Sequence, residues 1–245
     1  MNRKKMTTIP SIVNLCEILL TSDEKRKKIL LDLYDEIRND FFPLKAPPDL
    51  LRDAISGLQQ NKNEIQVNYP IKNHKEIEEI CKELKAIVEI ELDKYIKGAR
   101  EFVEKNSDKI KRDNPKSFFD SIDDERMILQ FWINFIKEVC VALNFDLKLK
   151  LDEIVSLIKS PYTPWKYFLD SYLYIFYRRG IRPQDYGKRK NPVGFDLEQC
   201  IYLYWADMFV IGDSSFYLFL KELNELRGYN KKIFNFGEFK NYLSL

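Results

Sequence analysis

The sequence predicts a predominantly helical α/β fold with a small parallel sheet, on three observations. Residues 196–243 alternate helix, strand, helix, strand, helix. The two short strands read in that stretch, the apolar run Met208–Ile211 and Lys232–Asn235, are separated by a helical pattern long enough to carry a crossover, which is what parallel neighbours need. Nearly everything before Asp170 shows helical spacing of its apolar residues, with no strand alternation beyond Ile65, Val67 and Tyr69.

The C-terminal elements are set by apolar spacing and punctuation. Leu197, Cys200, Ile201 and Tyr204 recur at three- and four-residue steps, which predicts a helix from Leu197 to about Ala206. Met208–Ile211 is an unbroken apolar run, as expected of a strand covered on both faces. Gly212 breaks it and Asp213 emerges just beyond its carboxyl end. Ser214 or Asp213 can cap the next helix, Ser215 to Arg227, and Gly228 closes it. Lys232–Asn235 and a helix over Glu238 to Leu243 complete the pattern. In open parallel sheets, sites lie beyond the carboxyl ends of the strands, where Asp213 falls.

Towards the N-terminus, Thr7–Ile9 reads as a short extended piece of the same sheet. Pro10 suits the first turn of a helix carrying Ile12, Val13, Leu15, Cys16, Leu19 and Leu20. Glu17 is one of very few charges in that helix, either an edge residue or a carboxylate aimed into a polar site. Residues 24–38 form an amphipathic helix with Ile29, Leu30, Leu33, Tyr34 and Ile37 on one face. Pro43, Pro47 and Pro48 mark a loop, and a helix over residues 49–60 follows. Residues 75–105 read as a long charged helix with solvated outer faces. Helices over residues 116–145 (in two pieces), 152–159 and 163–177 come next. The last carries Trp165, Tyr167, Phe168, Tyr172, Tyr174, Phe176 and Tyr177, a stripe that reads as core. The organisation is then an N-terminal part, residues 7–42, a helical insertion, 43–170, and an α/β part, 171–245.

Composition excludes several classes. A hydrophobic fraction of 45% and an aromatic fraction of 14% support a sizeable core. The net charge of +2 says nothing of partners, so a basic surface must be local. Four cysteines without a CxxC pair, and His74 as the one histidine, disfavour a zinc site and any serine–histidine or cysteine–histidine machinery. Cys16, Cys81, Cys140 and Cys200 all fall in apolar helical patterns and read as buried free thiols, which fits a cytoplasmic protein. No apolar run of about 18 residues predicts a membrane span. There is no P-loop and no GxGxxG.

Two features point to chemistry. Arg178, Arg179, Arg182, Lys188 and Arg189, with Lys190, surround a stretch whose glycines and prolines predict a loop. Such a loop suits the phosphates of a polyanion, or is a solvated loop with incidental charge. Asp196, Asp207 and Asp213 are the local acids, and Asp196 and Asp213 also suit helix capping. Hard carboxylate oxygens converging there fit Mg²⁺ or Mn²⁺, with waters completing the octahedron.

The run Phe195-Asp-Leu-Glu-Gln-Cys-Ile-Tyr-Leu-Tyr-Trp-Ala-Asp-Met-Phe-Val-Ile-Gly-Asp-Ser-Ser-Phe216 resembles the closing half of a PIN-like nuclease domain. In that family an Asp opens a helix, an apolar strand follows, and a Thr-x-Asp turn supplies another acid; here Ile211-Gly-Asp213 stands at the turn, without the threonine. Ile233-Phe-Asn-Phe-Gly-Glu-Phe239 fits the strand and helix after it. Ile9-Pro-Ser-Ile-Val-Asn-Leu-Cys-Glu17-Ile-Leu looks like the family's second strand and following helix. The resemblance spans residues 7–38 and 194–243 and implies a three-layer α/β/α core with a small parallel sheet and a large helical insertion. It implies Glu17, Asp196 and Asp213 as metal ligands and catalytic acids, with Asp207 as a fourth ligand, and Mg²⁺ or Mn²⁺ as cofactor. Family members open with a strand ending in Asp, and no such segment precedes Thr7 here. The expectation is therefore a truncated or weakly active enzyme.

The function expected is a metal-dependent endoribonuclease of the toxin or defence type. RNA would lie along Arg178, Arg179, Arg182, Lys188 and Arg189, with an antitoxin or other protein partner, homo-oligomerisation, and no membrane contact. The rival is a non-enzymatic helical interaction protein on a degenerate nuclease fold, which the missing strand favours.

Overall fold

The computed structural model describes residues 11–19, 21–38, 44–59, 79–82, 114–123, 164–181 and 195–243, with residues 101, 104, 105, 108, 133, 150 and 152 singly between them. The chain divides into two compact units, residues 1–89 with 139–149, and residues 90–138 with 150–245. The architecture is predominantly helical, with a two-stranded parallel sheet among the described residues.

In the first unit, α1 is Ile12–Leu19, α2 Glu24–Arg38 and α3 Pro47–Gln59. Each start is chemically marked. The Asn14 N–H donates to Ser11 Oγ at 3.2 Å, and the Arg26 N–H donates to Asp23 Oδ1 at 3.0 Å. Both bonds satisfy donors that the first helical turn leaves open. Pro47 opens α3, where its missing N–H costs nothing. Ser11 pairs with Leu44 in an isolated parallel bridge, and the Ile12 N–H donates to the Leu44 carbonyl at 2.9 Å. Ile12, Val13, Leu15, Leu44, Ala46, Leu50 and Ala54 are buried. On α2 only part of the expected face is covered: Tyr34 is buried, but Ile29 and Leu33 are exposed. Thr7–Ile9 and most of the long charged helix lie outside the described residues.

The second unit holds α4 Pro115–Asp123, α5 Trp165–Ile181, α6 Phe195–Gln199, a 3₁₀ turn Cys200–Tyr204, β1 Met208–Ile211, α7 Ser214–Arg227, β2 Lys232–Asn235 and α8 Phe236–Leu243. The aromatic stripe of α5 is core, as expected: Trp165, Phe168, Tyr172, Tyr174 and Tyr177 are buried. Phe118 and Phe119 of α4 meet Tyr177 and Tyr174 at centroid distances of 5.0 and 6.2 Å. Leu197, Cys200, Ile201 and Leu203 are wholly buried. The predicted single helix over residues 197–206 instead tightens into the 3₁₀ turn at Cys200. Short 3₁₀ pieces are common at helix ends.

The two strands pair in parallel, Met208 opposite Lys232 and Ile211 opposite Asn235. α7 is the crossover between them. It buries Phe216, Tyr217, Phe219, Leu220 and Leu223, each apolar side chain contributing roughly 1.5–3 kcal/mol. Gly228 ends α7 with φ 64°, and its N–H and that of Tyr229 close the last turn on Glu225 and Asn224. A left-handed residue there is why glycine stands at that position. β1 is less covered than its apolar run predicts, with only Ile211 buried. Apolar runs do not separate a sheet's covered centre from its margin.

No helix among the described residues is long and apolar enough to cross a membrane. Cys200 is a buried free thiol, as expected. Cys81, read from sequence as free, is disulfide-bonded. Distance along the chain does not prevent two cysteines from meeting, and the inference of a cytoplasmic site from free thiols loses that support.

Candidate functional site

The carboxyl end of the parallel pair is built by two helix starts. Asp213 stands two residues past β1 and caps α7: its Oδ1 accepts from the Phe216 N–H at 2.7 Å, and its carbonyl accepts from the Tyr217 N–H at 2.9 Å. Asn235 ends β2 and caps α8. The Glu238 N–H donates to Asn235 Oδ1 at 2.9 Å, and the Asn235 N–H donates to Glu238 Oε2 at 3.1 Å. This reciprocal capping satisfies two donors at once.

Tyr217 joins the two starts. Its hydroxyl donates to Glu238 Oε1 at 2.8 Å and accepts from Lys221 Nζ at 3.0 Å. Lys221 also lies 3.8 Å from Glu238 Oε1. The Tyr217 hydroxyl, then the Asn235 N–H and Lys221, hold the Glu238 carboxyl below its ordinary range. The same contacts hold the Lys221 ammonium above its own range, chiefly through Tyr217. Phe236, the first residue of α8, rests its ring edge over Gly212: a Cβ there would lie 2.9 Å from Phe236 Cε2.

The expected site residues distribute as follows. Asp213 is exposed at the carboxyl end of β1. Asp196 lies in the first turn of α6 and is half-buried. Asp207 stands just before β1, where its carbonyl accepts from the Lys232 N–H at 3.0 Å. The four residues of β1 separate it from Asp213 by about 13 Å at 3.3 Å per residue. With ligand distances near 2.1 Å, one ion cannot take both, so Asp207 falls away as a further ligand. Glu17 lies on α1, in the other unit, and its side chain is outside the described residues. Among the described residues no three acids, cysteines or histidines group as a metal site.

The basic segment is corrected in part. Arg178 and Arg179 are on α5, which runs through Gly180 to Ile181 instead of ending in a loop. A single helical glycine costs only about 1 kcal/mol, which packing of the aromatic stripe exceeds. Arg178 is 3.8 Å from Glu222 and lies 5.9 Å from the Tyr174 ring centroid, so its charge is partly engaged within the unit. Arg182, Lys188 and Arg189, like the Arg179 side chain, are outside the described residues.

Sequence reasoning missed a buried cluster between α5 and the carboxyl-terminal end of α7. Asp170 on α5 is 1% exposed and accepts from Arg227 Nε at 2.8 Å and from the Tyr229 hydroxyl. Burial pushes the Asp170 carboxyl up, against the pull of Arg227 and Tyr229. Arg227 also lies 4.6 Å over the Phe119 ring. These contacts pin the carboxyl-terminal end of α7 to α4 and α5. Burial likewise pushes the Cys200 thiol up, so it stays protonated and unreactive. The capping pair Asn235–Glu238 was readable as N-x-x-E before an apolar run, but the Asp170 cluster has no local signal because 57 residues separate its partners.

Compared with protein-family models, curated proteins and solved structures, the chain matches none.

Proposed function

We propose that the chain is a PIN-like, metal-dependent endoribonuclease of the toxin or defence type, with Asp196 and Asp213 as the acids that hold Mg²⁺ or Mn²⁺. The observation that carries this reading is the place of Asp213. It follows β1 at the carboxyl end of a parallel pair, where sites collect in such sheets. The order around it, α6 opened by Phe195 and Asp196, then β1, α7, β2 and α8, is the order the resemblance implies. The three-layer core belongs to the same proposal.

The donor chemistry of Asp213 suits a hard divalent ion. Capping uses Oδ1 of Asp213, and its other oxygen adds a hard donor. Mg²⁺ is commonly held by one or two carboxylates, with waters and substrate phosphate filling the rest. When bound, such an ion lowers the pKa of a water and offsets charge on the phosphate. Asp213 is fixed in orientation by its cap bond, and Lys221, two turns into α7 and 3.8 Å from Glu238, offers a cation for a neighbouring phosphate. Glu17 sits in the other unit, and the proposal rests on Asp196 and Asp213 alone.

The second reading, a non-enzymatic interaction protein on a degenerate nuclease fold, has its own support: Asp213 already has a structural task as a cap, and the acids do not group in threes among the described residues. Cleavage of a labelled single-stranded RNA separates them. Slow cleavage that requires Mn²⁺ and is lost in Asp213→Asn and Asp196→Asn is expected. Cleavage that persists in EDTA, or in both variants, overturns the metal–carboxylate mechanism; no cleavage at any Mn²⁺ concentration favours the second reading.

A further inference from the structure

Phe236 is the most exposed large apolar residue among those described, at 63%. Its neighbours behave differently. Phe234 packs against Phe239 and Tyr242 at centroid distances of 6.2 and 5.1 Å. The Phe236 ring presents an edge to Gly212. Gly212 provides the seat, since even a methyl group there would crowd the ring at 2.9 Å. The ring is thereby held one residue from Asp213, with most of its surface in water.

The support beneath it is rigid. The Asn235–Glu238 capping pair fixes the first turn of α8, and the Tyr217 hydroxyl on Glu238 ties that turn to the first turns of α7. Lys221, whose side chain is 46% exposed, lies on the same support. An acid, a flat apolar ring and a cation therefore share the carboxyl end of the sheet. A nucleotide carries two matching parts: a phosphate, which a cation or a carboxylate-bound metal can hold, and a base with a π-face.

We propose that Phe236 is the ring on which an unpaired base of single-stranded RNA stacks when the strand reaches Asp213, with Lys221 meeting the adjacent backbone phosphate. The inference rests on the ribonuclease reading and names the residue that receives a base of the unpaired strand. In a duplex both faces of an internal base are already stacked, so the ring has nothing to receive. Stacking on aromatic side chains is sequence-tolerant because every base has a π-face, so selection among bases is weak.

The test is fluorescence polarisation of a labelled ten-nucleotide single strand, in EDTA so that cleavage does not intervene. Phe236→Ala is expected to weaken binding by roughly 5- to 150-fold, the range of one lost base stack. Phe236→Leu keeps an apolar cover on Gly212 but has no π-face, and is expected to bind as weakly as the alanine variant. Phe236→Trp is expected to bind at least as well as the wild type. A fully paired hairpin should bind all four proteins alike. Equal affinity of wild type, Ala and Leu variants for the single strand overturns the proposal, as does a wild type that binds no single strand. So does sedimentation showing that Phe236→Ala dissociates a dimer, because the exposed ring is then a subunit contact. The ribonuclease reading fails separately: wild type that binds in EDTA with the expected Phe236 dependence, yet never cleaves with Mn²⁺, removes catalysis and leaves the stacking site standing.

Discussion

Replacing Arg227 by methionine tests whether the Asp170 cluster holds the second unit together. Arg227 donates to Asp170 Oδ2 at 2.8 Å, with side-chain exposures of only 11% and 1%. Removing one partner of such a buried pair leaves a charge without its counterion, which typically costs 3–5 kcal/mol. Two features of this site reduce that. The Tyr229 hydroxyl remains on Asp170, and burial already pushes the Asp170 carboxyl towards its neutral form. Methionine also keeps an apolar contact with Phe119 in place of the guanidinium. The expected loss is therefore near the lower bound, about 3 kcal/mol. At 2–4 °C per kcal/mol for a domain of this size, the melting temperature of the second unit falls by about 6–12 °C. Scanning calorimetry measures that shift. Adding Asp170→Asn to the Arg227→Met chain should recover part of the loss, since the buried charge is gone. A drop below about 3 °C for Arg227→Met alone, or no recovery in the double variant, would refute the buried-pair argument.

Three further outcomes are expected. Asp213→Ala removes the acceptor of the Phe216 N–H and should cost about 1 kcal/mol, whereas Asp213→Asn keeps a good cap and should melt within a degree or so of wild type; an alanine variant as stable as wild type would show that the cap bond contributes nothing. The Glu238 carboxyl is held low in the folded chain, so its contribution is present above its ordinary value of 4.5 and is lost as pH falls through the folded value. Melting curves of wild type and Glu238→Gln should accordingly differ at pH 7 and converge in acid, and a gap unchanged down to acid pH would contradict the assignment. Gly212→Ala crowds the ring of Phe236 and should weaken single-strand binding in the direction of Phe236→Leu while leaving hairpin binding alone, as measured by polarisation.

What the sequence disclosed follows the range of the forces involved. β1 and β2 were legible to the residue, because Gly212 punctuates the local apolar run of β1 and the helical stretches on either side bound β2. The start of α2 at Glu24 and the stop of α7 at Gly228 were legible for the same reason: caps act within one turn. The parallel pairing followed from the helix between the strands. Position along the third dimension was not legible. Ile29 and Leu33 share a helical stripe with Tyr34 yet are exposed, since periodicity marks a face without saying whether anything packs on it. Gly180 was read as a breaker, but the helix continues through it on tertiary packing. The Asp170–Arg227–Tyr229 cluster and the disulfide at Cys81 depend on contacts between distant residues, which no local pattern encodes. Of the candidate site, the position of Asp213 beyond β1 was foreseen; its support by Tyr217, Glu238 and Phe236 was not.

The central claim is that Asp196 and Asp213 hold one divalent ion. Electron paramagnetic resonance of free Mn²⁺ measures this directly, because bound Mn²⁺ leaves the free-ion signal. Wild type should remove one equivalent, weakly, and both Asp213→Asn and Asp196→Asn should abolish the uptake while melting as wild type does. Uptake unchanged in either variant would contradict the claim, because the acid replaced is then not a ligand.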